Sequence, residues 1–205
     1  MLPIIQRYIL DAINDFHTIP EERKRALHRI ISYVQKKTDE NRTPELLYIC
    51  IGNSRMSHFG QIWGSVAATY YGFTNVKTYS GGMYPTAFDL NSIRIIETIG
   101  FSIKQTNNAP NPMYKIQFGD SDIHITCFSK KYDDIENPIQ GFCVIIMCAE
   151  AEAALLNIDG AELWVSTLYD EFKASDSTTD RDDRYFESSK EIATECLYVF
   201  SQLSH

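Results

Sequence analysis

The segment from Glu45 to Gly60, Glu-Leu-Leu-Tyr-Ile-Cys-Ile-Gly-Asn-Ser-Arg-Met-Ser-His-Phe-Gly, constrains the chain more than any other, because a short apolar strand runs into a cysteine, a tight polar loop and a helix. A loop that turns back on itself aims its backbone N–H groups at one point, and the N-terminus of the following helix adds the positive end of its dipole. This layout predicts an anion pocket, lined by Ile51, Gly52, Asn53, Ser54, Arg55 and Met56, with the Cys50 thiol on its floor. A cysteine in that field is favoured as a thiolate, and so as a nucleophile next to any bound phosphate-like group. The plainer alternative is a merely buried cysteine.

Neighbouring residues carry two readings each. Ser54 and Ser57 are placed to donate to the thiolate or to a bound oxyanion, and equally to cap the helix. Asn53 suits a left-handed, loop-locking position. His58 is a proton carrier if it faces the pocket; a solvated place in the first helical turn is the simpler expectation.

Strands and helices alternate along the rest of the chain. Apolar residues at helical spacing predict helices over Leu2–Phe16 and from about Pro20 to Lys37, an added helical hairpin ending in the polar run Lys36–Thr43. Beyond it come a strand at Glu45–Cys50, a helix at Ser57–Tyr71 and a short strand at Val76–Tyr79. Ser80-Gly81-Gly82 reads as a flexible turn into a helix from about Thr86 to Thr98. Tyr114–Phe118 and Ile123–Phe128 alternate around Gly119-Asp120-Ser121-Asp122, the pattern of a hairpin. Gly141–Cys148 suits a strand buried on both faces, Leu163–Thr167 a further strand, and Arg184–Leu203 a terminal amphipathic helix. The expected fold is a flavodoxin-like three-layer α/β sandwich: about four parallel strands, an inserted hairpin and the N-terminal helical hairpin.

At 205 residues and 44% hydrophobic content the chain suits a single domain, residues 1–205, with 1–40 as the helical extension and 41–205 as the core. A net charge of −8 argues against a nucleic-acid partner or an anionic membrane surface, and no apolar run approaches the length of a membrane span. Five cysteines without a C-x-x-C pair do not form a disulfide or zinc framework, so reduced thiols in a cytoplasmic protein are expected and no metal site is. Cys127 and Cys143 read as core fillers.

The Cys50 loop resembles the signature of the low-molecular-weight protein tyrosine phosphatases and of the arsenate reductases that share their fold: Cys, five residues, Arg, then Ser or Thr. Cys50, Gly52, Asn53 and Ser57 fall on matching positions, but Met56 stands at the arginine position and Arg55 comes one place early. The family arginine forks onto two phosphate oxygens, which a thioether cannot do. Losing one preorganised donor typically costs roughly a hundred to a thousandfold in rate. The order of elements over most of residues 40–205 is similar to a bacterial branch of the superfamily that also carries an N-terminal helical extension.

The resemblance implies a general acid from a late loop, normally an aspartate followed by proline. In Tyr169-Asp170-Glu171-Phe172-Lys173, Glu171 takes the aspartate's place and Phe172 the proline's, with Asp170 alongside; both carboxylates read equally well as surface charges. For an arsenate reductase the resemblance makes Cys148 the first relay thiol, but the second, seven residues on, is Leu155. The implied ligands are phosphate, a phosphomonoester such as phosphotyrosine, or arsenate, with no cofactor. Three functions follow: a weakened or specialised phosphatase, a variant arsenate reductase, and a silent module that binds phosphorylated groups.

Overall fold

A computed structural model describes residues 1–119, 124–155, 157–170 and 181–205. Its centre is a parallel four-stranded sheet in the order β2-β1-β6-β7, with β1 at Glu45–Cys50, β2 at Lys77–Gly82, β6 at Phe142–Ile146 and β7 at Ala161–Ser166. Strands β1 and β6 are central, and β6 and β1 beyond Glu45 are apolar and buried, as strands covered on both faces must be. Helix α3 (Met56–Tyr70) leaves the end of β1 and lies on β1 and β2, and α6 (Arg181–Ser201) packs on α3. The close approach of α3 to the sheet requires Gly60: a Cβ there would lie 2.4 Å from the ring of Tyr48.

The hairpin is present and gains a strand. β4 (Tyr114–Gln117) and β5 (His124–Cys127) pair antiparallel, and β3 (Ser102–Gln105), which the alternation pattern did not reveal, pairs with β4. Three of the four β3 residues are exposed, which leaves little apolar alternation to read. Residues 120–123 of the hairpin connection lie outside the described residues.

Two other expectations shift. Ser80-Gly81-Gly82 is not a flexible turn; it completes β2, in register with Tyr48, Ile49 and Cys50 of β1. Helix α4 begins at Leu90 rather than near Thr86, because Asp89 caps it, its carboxylate accepting from the Ser92 N–H at 2.9 Å. A short helix, α5 (Ala149–Ala154), follows β6.

The N-terminal helices α1 (Pro3–Asn14) and α2 (Glu21–Asp39) both pack on α6; α2 also lies against β7, and α1 reaches α4. Ile5, Ile9, Leu27, Ile30 and Val34 are buried, so both helices belong to the common core. A buried cluster ties α2 to the segment after β7. The Arg23 guanidinium donates to the Leu168 carbonyl at 2.5 Å, pairs with Glu195 at 3.2 Å and lies 4.9 Å from the centre of the Tyr169 ring. Tyr169 in turn donates to Glu195 at 2.5 Å. Burial holds the Glu195 carboxyl up at about 7 against the pull of Arg23 and of the Tyr169 hydroxyl. Among the described residues, no helix is long and apolar enough to cross a membrane.

Candidate active site

The site is built where parallel strands end. β1 delivers Cys50 to the C-terminal end of the parallel strands and α3 begins six residues later, so residues 51–55 must turn within a single loop. Asn53 makes that turn with a positive φ of 43°, a conformation an asparagine tolerates better than most side chains. Gly82, beside the loop at the end of β2, is required by close approach: a Cβ there would lie 2.5 Å from the Asn53 nitrogen and 2.8 Å from the Ile51 oxygen. With Gly81, whose Cβ would lie 2.6 Å from Tyr132 Cα, this contact explains the glycine pair that sequence alone suggested was a turn.

Three of the loop's carbonyls, those of Ile51, Gly52 and Ser54, are taken from outside. Ile51 O accepts from the N–H groups of Met83 (2.8 Å) and Tyr84 (3.0 Å), and Ser54 O accepts from Asp89 N–H at 3.0 Å. Gly52 O accepts from the Ser129 hydroxyl at 2.9 Å and from the Thr86 hydroxyl at 3.1 Å. Arg55 O begins helix α3 by accepting from His58 and Phe59. The N–H groups of Gly52, Asn53, Ser54, Met56 and Ser57 have no acceptor among the described residues. A loop with its oxygens bound outward and its donors unspent has the polarity that an anion needs.

On the floor, Cys50 Sγ lies 3.0 Å from Ser57 Oγ, and Ser57 Oγ also accepts from Asn53 Nδ2 at 2.9 Å. With Asn53 donating to it, the serine hydroxyl is free to give its own hydrogen to the sulfur. The other end of the Asn53 amide accepts from the Lys130 N–H at 2.8 Å, so one buried side chain locks the loop to the segment after β5. Ser57, Asn53 and Cys50 are all buried, and Ser57 makes no cap bond at the start of α3.

Other expected site residues are placed differently. The Ser54 hydroxyl donates to the Ala87 carbonyl at 2.7 Å, which makes it a tie to the following loop. Arg55 sends its guanidinium to Asp89, 3.8 Å away, and over the Tyr185 ring of α6, 5.7 Å from its centre. Met56 is 3% exposed and its side chain packs in the core cluster. His58 is not solvated; it is fully buried, with Nδ1 3.2 Å from Ser80 Oγ and its ring 4.0 Å from that of Phe88, tilted by 33°. Burial, reinforced by the nearby Lys130 charge, pushes its pKa well below the usual imidazole value, so it stays neutral. The sequence pointed to solvent because it cannot show that β2 and Phe88 close over this turn.

Cys148 stands at the start of α5, near enough to Cys50 for the two thiols to feel one another. Burial, with that neighbour adding, pushes its thiol up to about 11, while backbone hydrogen bonds from Ala151 and Ile51 oppose the rise. Leu155 is an apolar core residue. Cys127 and Cys196 are buried and pushed up to about 12, and Cys143 is also fully buried, so all three are core residues. Asp170 is exposed, just beyond Tyr169, whose N–H bonds the Met147 carbonyl at 3.0 Å. Glu171 and Phe172 lie outside the described residues.

Sequence reasoning did not find Thr86, Asp89, Ser129 and Lys130, the residues that hold the loop from outside. They come from segments well separated in the chain, and no local pattern announces them. Among the described residues, no group of three or more His, Cys, Asp or Glu side chains is gathered to hold a metal.

No protein-family model matches the sequence, and no curated protein matches it. Solved structures do. A low-molecular-weight protein tyrosine phosphatase from T. tengcongensis superposes with a TM-score of 0.51 at 13% identity, over 78% of this chain and 100% of that one. An arsenate reductase in its phosphate-binding state gives 0.49 at 11% identity, over 79% of this chain and all of the other. A low-molecular-weight phosphotyrosine phosphatase from Vibrio cholerae O395 gives 0.47 at 15%, over 75% and 92%. The latter two superpose more loosely than the first. With its parallel sheet in the order β2-β1-β6-β7, its cysteine at the end of β1 and the phosphatase superposition, the chain has the fold of the low-molecular-weight protein tyrosine phosphatases.

Proposed function

We propose that the loop at residues 50–57 binds a phosphate-like oxyanion and that the protein hydrolyses a phosphomonoester, phosphotyrosine among the candidates, through the Cys50 thiolate. The observation that carries this reading is the 3.0 Å contact of Cys50 Sγ with Ser57 Oγ beneath a loop whose N–H groups are unspent.

In the reaction, the Cys50 sulfur attacks phosphorus, and the S–P bond forms as the bond to the leaving oxygen breaks. A carboxylic acid of the late loop, Asp170 or Glu171, gives that oxygen its proton. Water then attacks phosphorus, its proton passes back to the same carboxylate, and the sulfur leaves with the Ser57 hydroxyl donating to it. Backbone N–H groups of residues 52–57 take the charge on the equatorial oxygens. With Met56 in the core and Arg55 engaged by Asp89 and Tyr185, no guanidinium of this loop serves as the forked donor, and turnover is correspondingly slow. The chemistry calls for no cofactor, and a reduced Cys50 suits a reducing compartment such as the cytoplasm.

The test is hydrolysis of a small aryl phosphate in phosphate-free buffer by the native protein and by Cys50→Ser. Turnover that disappears in Cys50→Ser supports the reading. Phosphate affinity without turnover, in both proteins, replaces it with a silent binding module. The arsenate reductase reading rests on the nearness of Cys148 to Cys50. It requires arsenate-dependent oxidation of Cys148 with a partner thiol other than residue 155.

A further inference from the structure

Away from the Cys50 loop, the outer edge of β2 and the edge of β5 enclose a groove of about 290 Å³. Lys130 lines it and is 4% exposed, and no carboxylate pairs with its ammonium among the described residues; the Phe128 ring lies 4.6 Å from it, measured to the centre. A largely buried charge without a counter-charge is unfavourable. Native proteins resolve this by pairing the charge, by releasing the proton or by binding a counter-ion. Burial does depress the Lys130 pKa, with Cys127, Asp134 and Glu136 pulling weakly the other way.

The groove also supplies donors around that ammonium. Lys77 is exposed on its wall and has no carboxylate partner among the described residues, and the hydroxyls of Ser65 and Thr126 are likewise uncommitted. Glu136, on the rim, is exposed and solvated. Two ammonium groups and two hydroxyls around one polar groove match an acceptor-rich dianion far better than an apolar ligand or a cation.

We propose that this groove between β2 and β5 is a second anion site, in which Lys130 and Lys77 hold the phosphate group of a small molecule, separate from the loop at residues 50–57. The proposal does not depend on the chemistry of Cys50. The two sites share a residue, however: the Lys130 peptide is bound on its N–H side by Asn53 and on its carbonyl side by the Gly82 N–H at 2.9 Å.

The probe is inorganic phosphate, and the readout is the lysine side-chain carbon resonance of Lys130, followed against pH at constant ionic strength. Lys130→Gln identifies the resonance by its loss; should that variant not fold, the depressed midpoint of Lys130 identifies it in the native protein. An anion that binds only the charged ammonium must raise its midpoint. Saturating phosphate is expected to raise it by about half a pH unit or more, a threefold or larger preference for the charged form. Lys77→Gln, which is remote from the loop, should weaken the phosphate dependence of that shift. A Lys130 midpoint indifferent to phosphate overturns the proposal, as does a response that Lys77→Gln leaves unchanged, which would assign it to the loop.

Discussion

Asn53 donates to Ser57 Oγ at 2.9 Å while accepting from the Lys130 N–H at 2.8 Å, so a single carboxamide aligns the partner of the Cys50 sulfur and anchors the loop to a distant segment. Asn53→Ala removes both bonds, leaves a buried N–H without an acceptor and puts a less tolerant residue at φ 43°. The expected loss is about 2–3 kcal/mol, read as a lower urea midpoint, with weaker phosphate binding in the protein that still folds. Unchanged phosphate affinity in Asn53→Ala would show that the loop keeps its shape without this brace.

Met56→Arg is expected to raise aryl phosphate turnover by roughly a hundred to a thousandfold, the usual worth of a preorganised donor at the oxyanion. Because Met56 is 3% exposed, the new guanidinium is buried and needs a bound anion to pair with. The variant should therefore melt earlier than the native protein in phosphate-free buffer and recover as phosphate is added. Arg55→Leu, by contrast, breaks contacts with Asp89 and Tyr185 and should change turnover little. A large loss of activity in Arg55→Leu would mean that Arg55 reaches the substrate after all.

The Glu195 carboxyl makes stability fall as pH rises. Its folded-state pKa of about 7 is above the ordinary 4.5, so between these values the native protein keeps a proton that the unfolded chain has released. Stability contributed by that proton is complete below about pH 4.5, declines toward pH 7 and is gone above it, by roughly 1.4 kcal/mol for each pH unit separating the two pKa values. Glu195→Gln keeps an acceptor for Tyr169 and should flatten this slope. Urea midpoints at pH 5 and pH 8 for the two proteins measure it, and parallel curves would refute the assignment.

Gly82→Ala drives a methyl group to within 2.5 Å of the Asn53 nitrogen. Overpacking against backbone costs about 1–3 kcal/mol, and here the displaced backbone belongs to the Cys50 loop. Phosphate affinity should therefore fall along with the urea midpoint. A normal affinity would place the strain elsewhere.

Cys148, with its thiol pushed up to about 11, is a poor nucleophile near neutrality. Cys148→Ser should leave aryl phosphate hydrolysis close to native. If hydrolysis survives but arsenate-dependent thiol oxidation vanishes, the relay reading regains ground.

Much of the scaffold was legible because its signals are local. The apolar run of Phe142–Ile146, the strand at Glu45–Cys50 and the spaced apolar faces of α1, α2 and α6 each report their own burial within a few residues. Asn53 could likewise be assigned to a left-handed position from its chemistry alone. β3 escaped notice because its residues are mostly exposed and it exists by pairing with β4.

The sequence by itself determined that a cysteine at a strand end would meet a tight loop and a helix N-terminus, with Met56 as the sixth residue after that cysteine. Only the tertiary structure decided where the surrounding side chains went: Arg55 to Asp89 and Tyr185, His58 into a dry neutral pocket, and Lys130 into burial without a counter-charge. Those outcomes depend on contacts between segments that lie far apart in the chain, and a side chain's charge state and direction follow from which of those segments desolvate it.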